Sequence, residues 1–238
     1  MTTSAVSGEE PSFAERAYEV IRDRLIMLEI RPGAPINDDQ LARELGFGRT
    51  PVREALKRLE LERLVVAYPR RGTFATEVNI TDLGYISEVR QQLEPVAASA
   101  AARRATAADR AALRSLAAKL HSAGQKGAGQ KGTGQKGAGQ KSPGDKTVST
   151  DLMRLDMQVH RAIYTATHNP YLEDTLVHYD NLATRIWCLF LNRLLDLAGH
   201  VSEHSALLAA IVDGDADRAA ELAAAHVANF EHAIREAL

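Results

Sequence analysis

The pattern of apolar and polar residues divides the chain into a mixed N-terminal part and a helical remainder. Residues 14–28 carry apolar side chains at helical spacing, and the same period returns around 37–46 and from Thr50 onward. Leu64 to Tyr68 and Thr73 to Thr76 are predicted to be two strands joined by the turn 69–72. Three helices followed by a hairpin predict a winged helix-turn-helix over residues 13–79.

Turn and capping residues give the expected ends of these helices. Asn37 can cap the second helix with Gln40 as its reciprocal partner, and Gly46 can close it. Thr50 is the expected cap of the third helix, with Pro51 in its first position, where no amide donor is needed. Residues 1–12 are polar and acidic, so we predict a disordered tail there and no signal peptide.

Residues 80–238 are predicted to form an all-helical antiparallel bundle, which makes the fold class mainly α. Candidate helices cover residues 81–104, 107–121, 148–167, 171–196, 199–212 and 216–237. Between 123 and 147 the tripeptide Gly-Gln-Lys recurs at five-residue spacing, with no apolar side chain larger than Ala. Such a segment buries too little surface to offset its ordering entropy. We expect a disordered loop there, either without function or in loose contact with DNA.

Composition narrows the class of protein. The chain is 45% hydrophobic and 25% charged, with a net charge of −2 and one cysteine, Cys188. These values are typical of a soluble, cytoplasmic protein, and they exclude an intrachain disulfide or a thiolate metal cluster. No apolar run is long enough to span a membrane. Basic charge is concentrated between residues 49 and 71, and a local basic face suits contact with DNA phosphates.

The basic residues fall where a winged helix meets DNA. Arg53 and Lys57 lie outside the apolar face of the third helix, near its N-terminal end, where an arginine can make a bidentate contact with guanine. The turn between the strands is small enough to approach the minor groove. The predicted DNA-binding residues are Arg43, Arg49, Thr50, Arg53, Lys57, Arg70, Arg71 and Gly72. The alternative is a solvated basic face with a Glu54–Arg58 surface pair.

A second group of polar residues lies on helix faces that the pattern predicts to be buried. Asp156 and His160 are four residues apart among apolar positions, and His204 and His226 occupy similar positions on two other helices. Ionisable groups are costly to bury unless they are paired or bind a metal. Taken singly, each histidine is more simply a hydrogen-bonded core residue. Together they suit a divalent transition metal, zinc by default, with nickel, manganese or iron as alternatives.

Residues 41–56 carry a recognisable signature. They have the sequence LARELGFGRTPVREAL, which resembles that of GntR-family bacterial transcription regulators, and the segments 31–33 and 69–72 match in place. The resemblance implies that Arg49, Arg53 and the wing around Gly72 contact operator DNA. Gly48 stands where the family usually has Ser or Thr, which removes a hydroxyl contact to phosphate and gives the turn more backbone freedom.

Residues 80–238 resemble the FCD effector domain of the FadR-like GntR subfamily. The matching stretches are 90–97, 156–160, 169–172, 203–204 and 214–226. The resemblance implies a metal at the four Asp/His positions and a small carboxylate effector, with Glu94 as a candidate acceptor for a ligating imidazole. Candidate effector-binding residues are Arg90, Arg185 and Asn192. It also implies a homodimer on a short inverted-repeat operator of double-stranded DNA, most often acting as a repressor.

Two alternatives stay open at this point. The chain is expected not to be an enzyme, but an open metal site can activate water, and a metal-dependent hydrolase with an appended DNA-binding domain is the rival class. Glu94 and Glu203 are the possible general bases for such a reaction. The other alternative is a regulator whose metal is purely structural and has no free coordination position.

Overall fold

A computed structural model describes residues 11–130, 143–191 and 197–238, and the side chains of 11–123, 149–191 and 199–238. The chain divides into two compact units, one ending at Val78 and the other beginning at Asn79. The predicted tail segment 1–10, the central Gly-Gln-Lys repeats at 131–142 and the candidate residue Asn192 lie outside the described residues. The disorder predicted there therefore stays a prediction for residues 1–10 and 131–142.

The first unit contains three helices and a small sheet. Its elements are α1 (Phe13–Ile26), β1 (Pro35–Ile36), α2 (Asp38–Leu45), α3 (Arg49–Leu61), β2 (Val65–Tyr68) and β3 (Gly72–Ala75). The strands form an antiparallel sheet in the order β1-β3-β2. α1 packs mainly on α3, and Ile21, Leu25 and Leu59 of these two helices are fully buried. The winged helix-turn-helix is confirmed. β1 was not predicted, because a strand of two residues is too short to show an alternation of apolar and polar positions.

Capping contacts fix two of these helices. Asn37 accepts a hydrogen bond from the Gln40 amide at 2.9 Å, and Gly46 ends α2 in the left-handed conformation, as predicted. The predicted reciprocal contact from the Gln40 side chain back to Asn37 is wrong, because the Gln40 side chain donates to Glu44 instead. The predicted tail also ends too late, since Ser12 caps α1 by accepting from the Glu15 amide at 3.2 Å.

The second unit is helical throughout its described elements. These are α4 (Asp82–Arg104), α5 (Ala107–Gln130), α6 (Pro143–Thr165), α7 (Pro170–Phe190), α8 (Leu197–Asp213) and α9 (Ala216–Ala237). α5 and α6 both reach into the stretch 123–147, where a loop was predicted. α7 ends at Phe190, six residues earlier than predicted. Of the stretch 191–196 that was also predicted to be helical, only Leu191 is described, and it lies outside the helix.

Packing within this unit places the inward faces of α6, α7, α8 and α9 around one region. α4 packs most extensively against α9, and α5 against α8. Trp187 of α7 is 1% exposed, and its ring stacks on Phe230 of α9 and His200 of α8, with centroids 4.7 and 4.4 Å away. This aromatic stack adjoins the polar cluster described below, because the His200 ring also stacks on His226.

Candidate DNA-binding face and metal centre

The cap and the first residue of α3 lie two residues earlier than predicted. Gly48 is the residue before the helix, with an extended backbone and no side-chain capping contact, and its carbonyl accepts from the Val52 amide. Thr50 as the cap is therefore wrong; Thr50 and Pro51 lie in the first turn, where Pro51 forfeits no helical hydrogen bond. Because Gly48 has no side chain to occupy them, the first amides of α3 stay available to a phosphate oxygen.

The outward face of α3 adjoins the β-hairpin. Arg53 and Lys57 are exposed and line a groove of about 390 Å³ together with Gly72 and Thr73 of β3. The structure thus brings two residues of the predicted recognition helix to the predicted wing. Arg43 is exposed in the last turn of α2 and does not line this groove.

The wing tip is a tight turn with two exposed arginines. The Arg71 amide donates to the Tyr68 carbonyl at 3.1 Å, and the Arg71 guanidinium lies over the Tyr68 ring, 5.6 Å from its centroid. Arg70 and Gly72 both adopt positive φ, at 62° and 93°. A side chain at position 72 would have open space around it but a strained backbone, so the turn itself explains this glycine.

The four residues predicted as metal ligands come together in the second unit. Asp156 and His160 lie one turn apart on α6, His204 lies on α8 and His226 on α9, and all four are buried. Their donor atoms all lie within 4.8 Å of one another. Nε2 of His160 is 3.3 Å from Nε2 of His204, a spacing that one ion can bridge at the zinc–nitrogen distance of about 2.0–2.1 Å.

Two neighbours fix the tautomer of neutral His160. The Tyr164 hydroxyl donates its proton to Glu94 at 2.6 Å, so it accepts from Nδ1 of His160 at 3.1 Å. Burial alone would raise the pKa of Glu94, but the Arg90 guanidinium, which donates to it at 3.0 and 2.8 Å, holds that pKa far below its usual range. With Nδ1 protonated, the Nε2 lone pair of neutral His160 lies on the side of His204.

His226 and His204 each have an oxygen atom beside Nδ1, as His160 does. Nδ1 of His226 lies 3.0 Å from a carboxylate oxygen of Glu203, whose other oxygen accepts from Asn229 at 2.9 Å. Nδ1 of His204 lies 3.2 Å from the Val201 carbonyl. A carboxylate or carbonyl oxygen accepts, so each Nδ1 donates and each Nε2 keeps a lone pair. Nε2 is therefore the available donor atom of all three histidines.

Two further observations fit a divalent cation. Oδ1 of Asp156 is buried without a hydrogen-bond partner, and its nearest histidine nitrogen, Nδ1 of His204, is 3.6 Å away. An unmet buried carboxylate oxygen costs about 1–3 kcal/mol or more, which a bound cation would offset. The buried carboxyl and guanidinium groups in the described part of this unit are Glu94, Asp156, Asp180, Arg90 and Arg185. Carboxylates outnumber guanidiniums in that set, so added positive charge is favoured.

The pKa values of the three histidines indicate which of them is protonated when no ion is bound. Burial alone would lower the pKa of His160, but the Glu94 carboxylate, with help from Asp180, raises it to about 9. Burial lowers the pKa of His204 to about 4 and that of His226 well below its usual value. A protonated His160 can thus donate from Nε2 to the neutral His204 ring, in the space where an ion would bind.

Comparison with known proteins identifies the family. Residues 85–229 match the model of the FCD domain, and residues 13–75 match that of the bacterial regulatory proteins of the gntR family. The chain belongs to the FCD-containing GntR regulators. Members of this family are transcription regulators that bind DNA, and the predicted resemblance is confirmed.

Individual relatives of this GntR regulator agree with that assignment. It is 26% identical to the uncharacterized HTH-type transcriptional regulator YdhC of Bacillus subtilis over 74% of this chain and 69% of YdhC. It is 35% identical to McbR of Escherichia coli K12 over 45% of this chain and about half (48%) of McbR. It is also 27% identical, over 37% of this chain and 39% of the relative, to the transcriptional repressor RspR of the same strain.

Solved structures show the same fold. E. coli McbR/YncC superposes with a TM-score of 0.73 at 22% identity, covering 95% of this chain and 99% of that chain. A putative GntR regulator from Rhodococcus sp. RHA1 superposes with a TM-score of 0.65 at 19% identity, covering 96% of this chain. Among the described helices of the regulator, none combines the length and the apolar character needed to cross a membrane.

The residues predicted to bind an effector are only partly accounted for. Arg90 and Arg185 are buried in the same unit of the regulator, and Nη2 of Arg90 is 3.5 Å from Asp180. Two donor atoms of Arg90 are already bound to Glu94, so its role in effector binding stays a prediction. Glu94 and Glu203, considered above as general bases, contact the outer nitrogens of the imidazole set instead.

Two residues of the centre escaped the sequence analysis. Tyr164 is fully buried and lies one turn after His160, the same four-residue spacing that singled out Asp156. His200 lies one turn before His204 and also has that spacing. Its ring stacks on His226 at 4.3 Å and 27°, and one donor atom each of His200, Glu203 and His226 lie within 4.8 Å of one another, which makes them a second group that could hold an ion. Burial lowers the pKa of His200 to about 3, which fits a neutral stacking partner of the ligand set.

Proposed function

We propose that this GntR regulator senses a small organic acid at a divalent metal held by Asp156, His160, His204 and His226. The observation that carries the proposal is the convergence of one carboxylate and three imidazoles in a buried site, with Nε2 of His160 and Nε2 of His204 3.3 Å apart. A bound ion would supply Lewis acidity to an acidic ligand. Zinc is our first choice of metal, because its preferred ligands include both imidazole and carboxylate, with nickel, manganese and iron as alternatives.

The chain's own residues have separate tasks in this proposal. Tyr164, Glu203 and the Val201 carbonyl hold the three imidazoles in the required tautomer. Arg90 keeps Glu94 ionised, so that Tyr164 stays an acceptor for His160. Arg185, buried in the same unit, is our candidate partner for an effector carboxylate, because a guanidinium matches that group in geometry.

We propose further that the protein acts as a homodimer on a short inverted repeat of double-stranded DNA, as a repressor. The α3 N-terminus and the groove lined by Arg53, Lys57 and Gly72 support major-groove docking, with Arg70 and Arg71 of the wing near the adjacent minor groove. The likeness to RspR, which is named a repressor, supports the sign of regulation. An effector changes DNA affinity only if it binds the two states of the protein unequally.

The test couples DNA binding to the metal. Full-length protein, with and without zinc, is titrated with a fluorescent duplex that it selected from a randomised library, in the presence of a panel of small carboxylates. We expect at least one carboxylate to change DNA affinity by about five-fold or more in the zinc-loaded protein, the lower end of usual allosteric coupling.

The matched variants are His204→Ala and His232→Ala. His232 is exposed on α9, away from the centre, and should behave as the wild type. His204→Ala should bind the duplex but lose the response to the carboxylate. The proposal fails if no carboxylate alters DNA affinity, or if His204→Ala responds as fully as the wild type.

A further inference from the structure

Each of two arginines of the proposed DNA-binding face is held by an aspartate at the start of α2. Nε of Arg53 donates to Oδ2 of Asp38, and Nε of Arg49 forms an ion pair with Oδ1 of Asp39. The hydrogen bond from Arg53 is the main cause of the lowered pKa of Asp38. The same arrangement therefore occurs twice between the first turn of α2 and the beginning of α3.

Stability does not explain these contacts. The Arg53 and Arg49 side chains are 56% and 58% exposed, and exposed ion pairs contribute about 0–1 kcal/mol. In both pairs the arginine atom that contacts the carboxylate is Nε. A guanidinium bound through Nε keeps its Nη1–Nη2 edge free of that carboxylate, and this edge carries two parallel N–H donors that match O6 and N7 of guanine.

We propose that Asp38 and Asp39 determine specificity by holding Arg53 and Arg49 with their Nη edges available to guanine. The proposal rests on the DNA-binding face proposed above. An arginine held in advance loses less side-chain entropy on binding, so the bidentate contact becomes stronger. A carboxylate close to the DNA backbone also weakens binding to any sequence, because it repels phosphates. Both effects widen the difference between specific and non-specific DNA.

The opposing possibility is simple competition. If the aspartates only occupy the arginines in the free protein, their removal raises affinity for every duplex by one factor and leaves base discrimination unchanged. The two cases are separated by measuring discrimination at a single atom of a guanine, and not overall affinity.

The probe is the duplex that full-length wild-type protein selects from a randomised library. Each guanine is replaced in turn by 7-deazaguanine, which lacks the N7 acceptor but keeps its pairing. Because 7-deazaguanine removes one of the two acceptors of a bidentate contact, the wild type should lose about 5–10-fold in affinity at a contacted guanine, equivalent to about 1–1.4 kcal/mol. In Asp38→Ala we expect that loss to fall below about two-fold at the guanine contacted by Arg53, while affinity for an unrelated duplex rises about two-fold.

Glu44→Ala is the matched control. It removes the same charge from α2, but Glu44 contacts Arg24 and Gln40 and neither of the two arginines above. It should keep the wild-type sensitivity to 7-deazaguanine at every position. Asp38→Asn keeps an oxygen acceptor without the charge and should lie between Asp38→Ala and the wild type. Circular dichroism melting checks that each variant is folded.

The outcomes are distinct. Wild-type sensitivity at every guanine in Asp38→Ala, with or without a uniform rise in affinity, overturns the role of Asp38. So does a wild type that tolerates 7-deazaguanine everywhere. Arg53→Ala separates this failure from a failure of the proposed face. If Arg53→Ala keeps full affinity and full sensitivity to 7-deazaguanine at every guanine, the proposed DNA-binding face is wrong, and so is the proposed role of the aspartates.

Discussion

Replacing Tyr164 by Phe removes one oxygen atom from the centre and should weaken metal binding without a change in any ligand. The hydroxyl lies between Glu94 and His160, at 2.6 and 3.1 Å, and Tyr164 has no exposed surface. Phe keeps the ring packing, so no cavity forms. What is lost is the group that accepts from Nδ1 of His160 and thereby leaves its Nε2 lone pair free.

The magnitude follows from the two hydrogen bonds. A hydrogen bond to a charged group contributes about 1.5–3 kcal/mol, and an unmet buried donor costs about 1–3 kcal/mol. We therefore expect the free energy of unfolding of the metal-free protein to fall by about 2–4 kcal/mol. Loss of such an outer hydrogen bond typically costs about 10–100-fold in metal affinity, and we expect zinc affinity to fall by that factor.

The assay is competition for zinc with a chromophoric chelator, together with urea unfolding of the metal-free protein. Tyr171→Phe is the matched control, because the same oxygen is removed from a tyrosine that is 83% exposed. Zinc affinity of Tyr164→Phe within two-fold of the wild type would refute the tautomer argument. A loss of stability with unchanged zinc affinity would show that the hydroxyl has a structural role alone.

Three further predictions concern other parts of the protein. Lys57→Ala should weaken binding to all duplexes alike and lower the salt dependence of binding by about one counterion. Arg53→Ala should cost about 1–3 kcal/mol of binding free energy on the selected duplex only. Equal effects of both variants on all sequences would contradict the docking model. Burial alone would lower the pKa of His160, but the neighbouring carboxylates outweigh burial and raise that pKa to about 9. Zinc binding near pH 7.5 should therefore release about one proton from His160, and this release should vanish above that pKa. Calorimetry in buffers of different ionisation enthalpy measures the proton release, and zero release at pH 7.5 would refute the prediction. Asn37→Ala should speed hydrogen exchange of the Gln40 amide about five-fold, equivalent to the loss of a cap of about 1 kcal/mol, and an unchanged rate would mean that this cap contributes nothing.

Much of the candidate metal site could be predicted because helical periodicity fixes which face a residue occupies. Asp156 and His160 share a face with apolar neighbours, and His204 and His226 interrupt the apolar faces of their own helices. The pattern could not show what each imidazole contacts on its outer side. Tyr164 is indistinguishable from an ordinary core aromatic until its hydroxyl is seen beside Glu94 and His160.

The errors in the fold have equally local causes. Thr50 is a better capping residue than Gly48 by propensity, yet the cap lies two residues earlier, because a backbone without a side-chain cap is also an acceptable start. β1 is a strand through its pairing of Pro35 with Phe74 and of Ile36 with Thr73, which only the folded chain displays. The end of α7 at Phe190 lies in a stretch that is helical by composition, so its position depends on packing.

The most direct test of the central claim is the metal content of purified protein, measured by elemental analysis after reconstitution with zinc and removal of the excess. His226→Ala and His232→Ala are compared with the wild type, because both remove a histidine from α9 and only His226 lies in the centre. The account predicts one ion per chain in the wild type and in His232→Ala, and a strong loss in His226→Ala. A wild-type chain that retains no ion, or a His226→Ala chain that retains a full one, would contradict it.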